Sequence, residues 1–114
     1  MKASLAEILA HIPGAPSKKW PDGERYAEAL AHGSMSVGLY APLARDPQTP
    51  HSQDELYIIR TGQAEFTLAG ERQPCAVGDV LFVGAGVEHR FSNASADFSA
   101  WVVFWGPKGG EKAG

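Results

Sequence analysis

Cysteine is almost missing from this chain. Cys75 is the only one in 114 residues, which excludes an intramolecular disulfide and any Cys-x-x-Cys zinc or redox motif. Charge of one sign is scarce too. Ten Lys and Arg stand against 13 Asp and Glu, for a formal charge of −3, so no basic surface calls for nucleic acid or an anionic membrane. No apolar run approaches the roughly 20 residues that cross a bilayer. The opening MKASLAEILAHIPG carries Glu7 and His11 where a signal peptide keeps its centre apolar, so a cytoplasmic location is expected. There is no Gly-x-Ser-x-Gly, P-loop or dinucleotide fingerprint, no helix-turn-helix segment and no internal repeat, which leaves serine hydrolysis, nucleotide chemistry and DNA reading without support.

What is present fits one domain with a real core. In SLAEILAH, residues 4–11, Ser4 stands three residues before Glu7 at capping-box spacing, and Leu5, Ile8, Leu9 and Ile12 fall at helical offsets. One short helix is predicted, ended by Pro13-Gly14. A turn-rich linker follows, with Trp20 placed to pack over an edge of the core. From Arg25 onward, short apolar or alternating runs recur every ten residues or so between turns, the rhythm of an all-β sandwich or barrel. The predicted strands are Arg25 to Ala31, Met35 to Ala41, Glu55 to Arg60, Ala64 to Leu68, Gln73 to Ala76, Val80 to Val83, Glu88 to Ser92 and Phe98 to Trp105. RYAEALAHG, around the first of these, is also a good helical string. APLARDPQTP should be an extended loop. Residues 1–24 are thus read as helix and linker, 25–106 as a β-barrel and 107–114 as a flexible tail.

Chemistry concentrates in two stretches. In HSQDELY, period-2 alternation puts His51, Gln53, Glu55, Tyr57 and Ile59 on one face and Leu56 and Ile58 on the other, with Asp54 facing solvent. In VEHRFSN, His89 shares a face with Phe91 and Asn93. If both strands line one cavity, two imidazoles and a carboxylate converge, a set that suits Fe(II), Mn, Ni, Cu or Zn with positions left open. Without a metal, His51 simply begins a strand, His89 is a hydrogen-bonded core histidine, and Asn93 forms a turn with its own backbone. Glu55 resists such an account, because an unpaired carboxylate inside a barrel is costly to bury. His11 and His32 fall outside both stretches and read as surface residues, and Cys75 as a small buried hydrophobe.

The spacing resembles the two motifs of the cupin superfamily, Gly-x5-His-x-His-x(3 or 4)-Glu-x6-Gly and Gly-x5-Pro-x-Gly-x2-His-x3-Asn. GDVLFVGAGVEHRFSN supplies Gly78, Gly86, His89 and Asn93 of the second, with Gly84 where the proline is usual. The first matches at His51, Glu55 and Gly62, while Thr49 and Leu43 stand where its first histidine and glycine would be. The resemblance covers roughly residues 35 to 105. It implies a cupin-type double-stranded β-helix, a jelly-roll barrel, with a divalent transition metal held by His51, Glu55 and His89. A fourth donor is open: Thr49 is a poor ligand, Gln53 shares the face of His51 and Glu55, Gln48 sits at an offset the motif does not use, Asp54 could compete across a bulge, and water would serve.

The resemblance also implies a small organic molecule bound inside the barrel; Tyr57 shares the face of Glu55 and Phe91 that of His89, so these two are the preferred pocket walls. The reaction would be a dioxygenation, isomerisation or hydrolysis assisted by the metal. The alternatives are a non-catalytic binding module for a metabolite or metal, and a metal-free isomerase with His89 or His51 as base and Tyr57 as acid. FSAWVVFWG is apolar on both faces, so a second copy of the chain is the expected cover, as a homodimer.

Overall fold

A computed structural model describes residues 1–112. Its order is α1 (Leu5–Leu9), β1 (Tyr26–His32), β2 (Met35–Tyr40), β3 (Asp54–Thr61), β4 (Gln63–Leu68), β5 (Glu71–Ala76), β6 (Val80–Val83), β7 (His89–Ser92) and β8 (Ser99–Trp105). The strands form a five-stranded sheet, β1-β2-β8-β3-β6, and a three-stranded sheet, β5-β4-β7, with antiparallel pairing throughout. The all-β prediction stands, and every predicted strand is present within a residue or two of its predicted ends. β1 is a strand despite its helical composition, because Tyr26 to His32 pair antiparallel with Met35 to Tyr40, with one register shift between Glu28 and Leu30. A paired edge outweighs single-residue propensity.

The core lies between the sheets. Tyr57, Ile59, Ala100 and Val102 of the larger sheet face Phe66 and Phe91 of the smaller one. The rings of Tyr57, Phe66, Phe91 and Phe98 interlock at centroid separations of 4.9 to 5.9 Å, offset and tilted as aromatic quadrupoles prefer. Alternation in β3 sends Glu55, Tyr57 and Ile59 inward, all at most 2% exposed, and leaves Ile58 at the surface. Trp20 packs edge-on against Tyr40 at 6.0 Å, covering the core rim as expected.

Three expectations change. The helix stops at Leu9, and the Ser4 hydroxyl makes no cap bond. A one-turn helix is marginal alone, and its buried residue is Ile8. Asp54, expected in solvent, is 6% exposed. It accepts from the backbone N–H of Ala85 at 3.0 Å and of Glu111 at 2.8 Å, bonds that offset the cost of burying its charge. The segment after β8 is accordingly tied down: Gly109 N donates to Ser52 O at 2.7 Å, and Gly106 N to Ser34 Oγ at 3.1 Å. The part of the expected tail at residues 113 and 114 lies outside the described residues.

Candidate metal centre

His51, Glu55 and His89 meet at the inner face of the larger sheet, their nearest donor atoms all within 4.8 Å of one another. Glu55 comes from β3 and His89 from the first position of β7. His51 precedes β3 in the proline-rich loop, and a backbone bond joins the two stretches: Gly86 N donates to His51 O at 2.7 Å. Gly86 has φ +77, a left-handed conformation that glycine adopts at little cost. The turn leading into His89 is thereby pinned beside His51.

The separations are short. Glu55 Oε1 lies 3.0 Å from His89 Nε2 and 3.9 Å from His51 Nε2. The Glu55 and His89 side chains are 2% and 0% exposed, that of His51 33%, so solvent reaches the cluster at His51. His89 Nδ1 is 2.9 Å from Val87 O. A carbonyl only accepts, so Nδ1 carries a proton, and Nε2 faces inward toward Glu55 and the Tyr57 hydroxyl. Although His89 Nε2 is close, Glu55 Oε1 has no aligned hydrogen-bond partner among the described residues. A buried carboxylate oxygen facing two imidazole nitrogens is a donor set in need of a cation, and its chemistry fits a borderline transition metal.

The electrostatics agree with this arrangement. Burial drives the His51 pKa below the ordinary histidine value, outweighing the pull of Glu55. Burial also disfavours the charged form of His89, but Glu55, the Val87 carbonyl and Asp46 together carry its pKa above the ordinary value. Burial, then the neighbouring Glu55 and Asp46 charges, hold the Tyr57 phenol well above its usual range, so it is un-ionised.

Tyr57 and Phe91 part company. The Tyr57 hydroxyl donates to Gln48 Oε1 at 2.9 Å and lies 3.1 Å from His89 Nε2. Phe91, on the same strand face as His89, is 2% exposed, meets the Tyr57 ring edge-on at 4.9 Å, and belongs to the core rather than the cavity lining. Gln53 also falls away: its amide N–H groups donate to Ser34 O at 2.8 Å and Gly106 O at 3.0 Å. The alternation that would have faced it inward starts only at Asp54, where β3 begins. Asn93 turns the chain with φ +51 as a turn-former does, but its amide donates to Glu65 Oε2 at 3.2 Å rather than to its own backbone. His11 and His32 are exposed, and Cys75 is a buried thiol whose pKa burial raises.

Two residues at the site, Tyr40 and Asp46, carried no usable signal in the sequence, and a third, Gln48, stood among the open donors only at an offset outside the motif. The loop from Pro42 to Gln53 is extended as expected, yet it dips inward at Asp46 and Gln48, which are 6% and 7% exposed. The Asp46 carboxylate accepts from the Tyr40 hydroxyl, from Gln48 Nε2 at 2.6 Å, from Gln48 N at 3.2 Å and from Phe91 N at 2.8 Å. The last bond satisfies an N–H on the edge of β7 that no strand pairs. Asp-Pro-Gln within a proline-rich stretch was the only hint, and its spacing belongs to no motif.

Above the cluster opens a cavity of about 440 Å³, within the usual range for small-molecule sites. Gln48, His51, Glu55 and Tyr57 form its floor, and Trp20, Tyr26, Tyr40 and Phe104 its aromatic walls. Lys19 and Glu24 of the linker stand at its edge.

A family model described as a Cupin domain matches residues 37–105. An uncharacterized protein of Streptomyces coelicolor is 44% identical over 85 residues, which span 73% of this chain and 81% of that one. Among solved structures, a Cupin 2 conserved barrel domain protein from Salinispora arenicola is similar, with TM-score 0.61 and 24% identity over 71% of this chain and 74% of that one. A protein from Neisseria meningitidis aligns over 93% of this chain and 100% of its own, with TM-score 0.66 and 19% identity. The DMSP lyase of Ruegeria pomeroyi aligns over 73% of this chain but 48% of its own, with TM-score 0.60 and 23% identity.

Proposed function

The chain belongs to the cupin family, and from that premise we propose that it binds one divalent transition metal through His51, Glu55 and His89 and acts on a small organic molecule held in the cavity above. The observation that carries this reading is Glu55 Oε1, buried without a hydrogen-bond partner between two imidazoles. A bound metal would supply Lewis acidity or, as Fe(II), dioxygen chemistry. The protein's own part is positional. The Val87 carbonyl fixes the His89 tautomer, the aromatic walls exclude water and orient the organic molecule, and the un-ionised Tyr57 hydroxyl keeps a donor proton at the floor. The access side at His51 leaves room for the substrate to reach the centre.

Protein purified without chelator or affinity metal should carry near-stoichiometric Fe, Mn, Ni, Cu or Zn, lost in both His51→Ala and His89→Ala. A protein that is metal-free and cannot be loaded would sink the reading. Oxygen consumption by the Fe(II)-loaded protein, assayed across small phenols, diketones and thiols, tests the dioxygenase form. Absence of turnover with all of them favours the non-catalytic binding module.

A second copy is the partner we assign to the outer face of the larger sheet, where Val80 and Phe82 are 59% and 55% exposed. Among the described residues no helix is long and apolar enough to cross a membrane, and the cytoplasmic location stays part of the proposal.

A further inference from the structure

We propose, on the reading that His51, Glu55 and His89 hold a metal, that Gln48 supplies the fourth protein donor through Oε1, with Asp46 as the residue that positions it. The motif position for a further histidine is Thr49, which is exposed and turned away from the cavity, whereas its neighbour Gln48 is buried on the cavity floor. The loop thus places residue 48, not 49, where that histidine would act. The orientation of the amide follows from its partners. Gln48 Nε2 lies 2.6 Å from Asp46 Oδ2, a carboxylate that can only accept, so the nitrogen faces Asp46 and the oxygen faces the cluster.

The Asp46 carboxylate is itself held by the Tyr40 hydroxyl and the Phe91 and Gln48 N–H groups, so the amide has little freedom to turn over. Gln48 Oε1 lies 3.5 Å from His51 Nε2 and accepts the Tyr57 hydroxyl at 2.9 Å. A carbonyl oxygen has two lone pairs, and Tyr57 occupies one. Donors about 2.1 Å from a shared metal stand roughly 3 to 3.5 Å apart in a tetrahedral or octahedral shell. The spacings of 3.0, 3.5 and 3.9 Å lie at or near that range, and with the His51, Glu55 and His89 donors all within 4.8 Å of one another, side-chain movement of about an ångström closes the shell. Gln48 would add a neutral oxygen where an imidazole is usual, making the centre harder and less electron-rich.

Metal-free protein titrated with Co(II) tests this, with affinity from chelator competition and coordination from the visible absorption bands. Gln48→Leu should bind Co(II) about tenfold or more weakly and with altered bands, while the double variant Gln48→Glu with Asp46→Asn, which keeps an oxygen at the same reach and restores a donor–acceptor pair between positions 46 and 48, recovers affinity. Asp46→Asn frees the amide to turn over and should shift the bands in the same sense as Gln48→Leu. If Gln48→Leu keeps wild-type affinity and bands while His51→Ala loses binding, Gln48 is no ligand and the three-residue centre survives. If the wild-type protein takes up no Co(II), the metal reading fails and this inference falls with it. Should circular dichroism find Gln48→Leu unfolded, Gln48→Asn, one methylene too short to serve both Asp46 and the metal, decides by the same two readouts.

Discussion

At the scale of single residues, Tyr57 joins core to site. Its ring packs among Phe66 and Phe91 while its hydroxyl links Gln48 to His89. Tyr57→Phe keeps the packing and removes the link, so a stability loss of about 1 to 2 kcal/mol by urea unfolding is expected, with metal affinity reduced and the fold intact. Gly38 illustrates a different constraint. A Cβ there would run into the Tyr26 ring, which lies across β2 and forms one cavity wall. Gly38→Ala should cost about 1 to 3 kcal/mol and push Tyr26 into the cavity, read as a lower melting temperature together with weaker binding of organic ligands.

Among the elements, one irregular segment carries more of the site than the strands suggest. The turn between β6 and β7 is held from one side by Gly86 to His51 and from the other by Ala85 to Asp54, and Asp54 also ties residue 111. Asp54→Ala therefore releases two backbone N–H groups at once. Hydrogen exchange at Ala85 and Glu111 should accelerate well beyond that at Tyr57, and stability should fall by about 1 to 3 kcal/mol. Unchanged exchange at both amides would contradict this account. The reach of Asp54 could not be read from HSQDELY, since alternation assigns it outward; its partners are 31 and 57 residues away in sequence.

For the whole molecule, the alkaline limit follows from the tyrosines. Burial first, then nearby Glu28 and Glu55, push Tyr26 up to about 12; burial and Asp46 raise Tyr40, and Tyr57 is raised as described. Each folded pKa exceeds the unfolded value of 10.0, so the stability these phenols contribute is complete below pH 10 and is lost as pH rises toward 12 and beyond. Absorbance at the tyrosinate band should stay flat past pH 10 in folded protein and then rise together with unfolding. The outer sheet face gives a second test at this scale. Phe82 is exposed beside the Trp105 ring, 6.1 Å between centroids, on edge strand β6. Light scattering is expected to give a dimer mass at micromolar concentration and a monomer for Phe82→Glu. A monomeric wild-type protein would remove the dimer.

By itself the sequence determined the eight strands, because strand periodicity is a local property that survives without knowledge of the path between them; that His51, Glu55 and His89 meet was implied by the family resemblance of two separate stretches, and the fold brings them together. The sequence could not determine what surrounds the three. Phe91 shares the face of His89, yet it packs in the core against Tyr57, Phe66 and Phe98. Gln53 lies at the right parity, yet it precedes the strand in which parity has meaning. Asp46 and Gln48 lie in a loop with no period at all, and bonds from Phe91 N and the Tyr40 hydroxyl to Asp46 and from the Tyr57 hydroxyl to Gln48 hold that loop inward. What surrounds the three residues depends on those tertiary bonds, and no spacing within the chain encodes them.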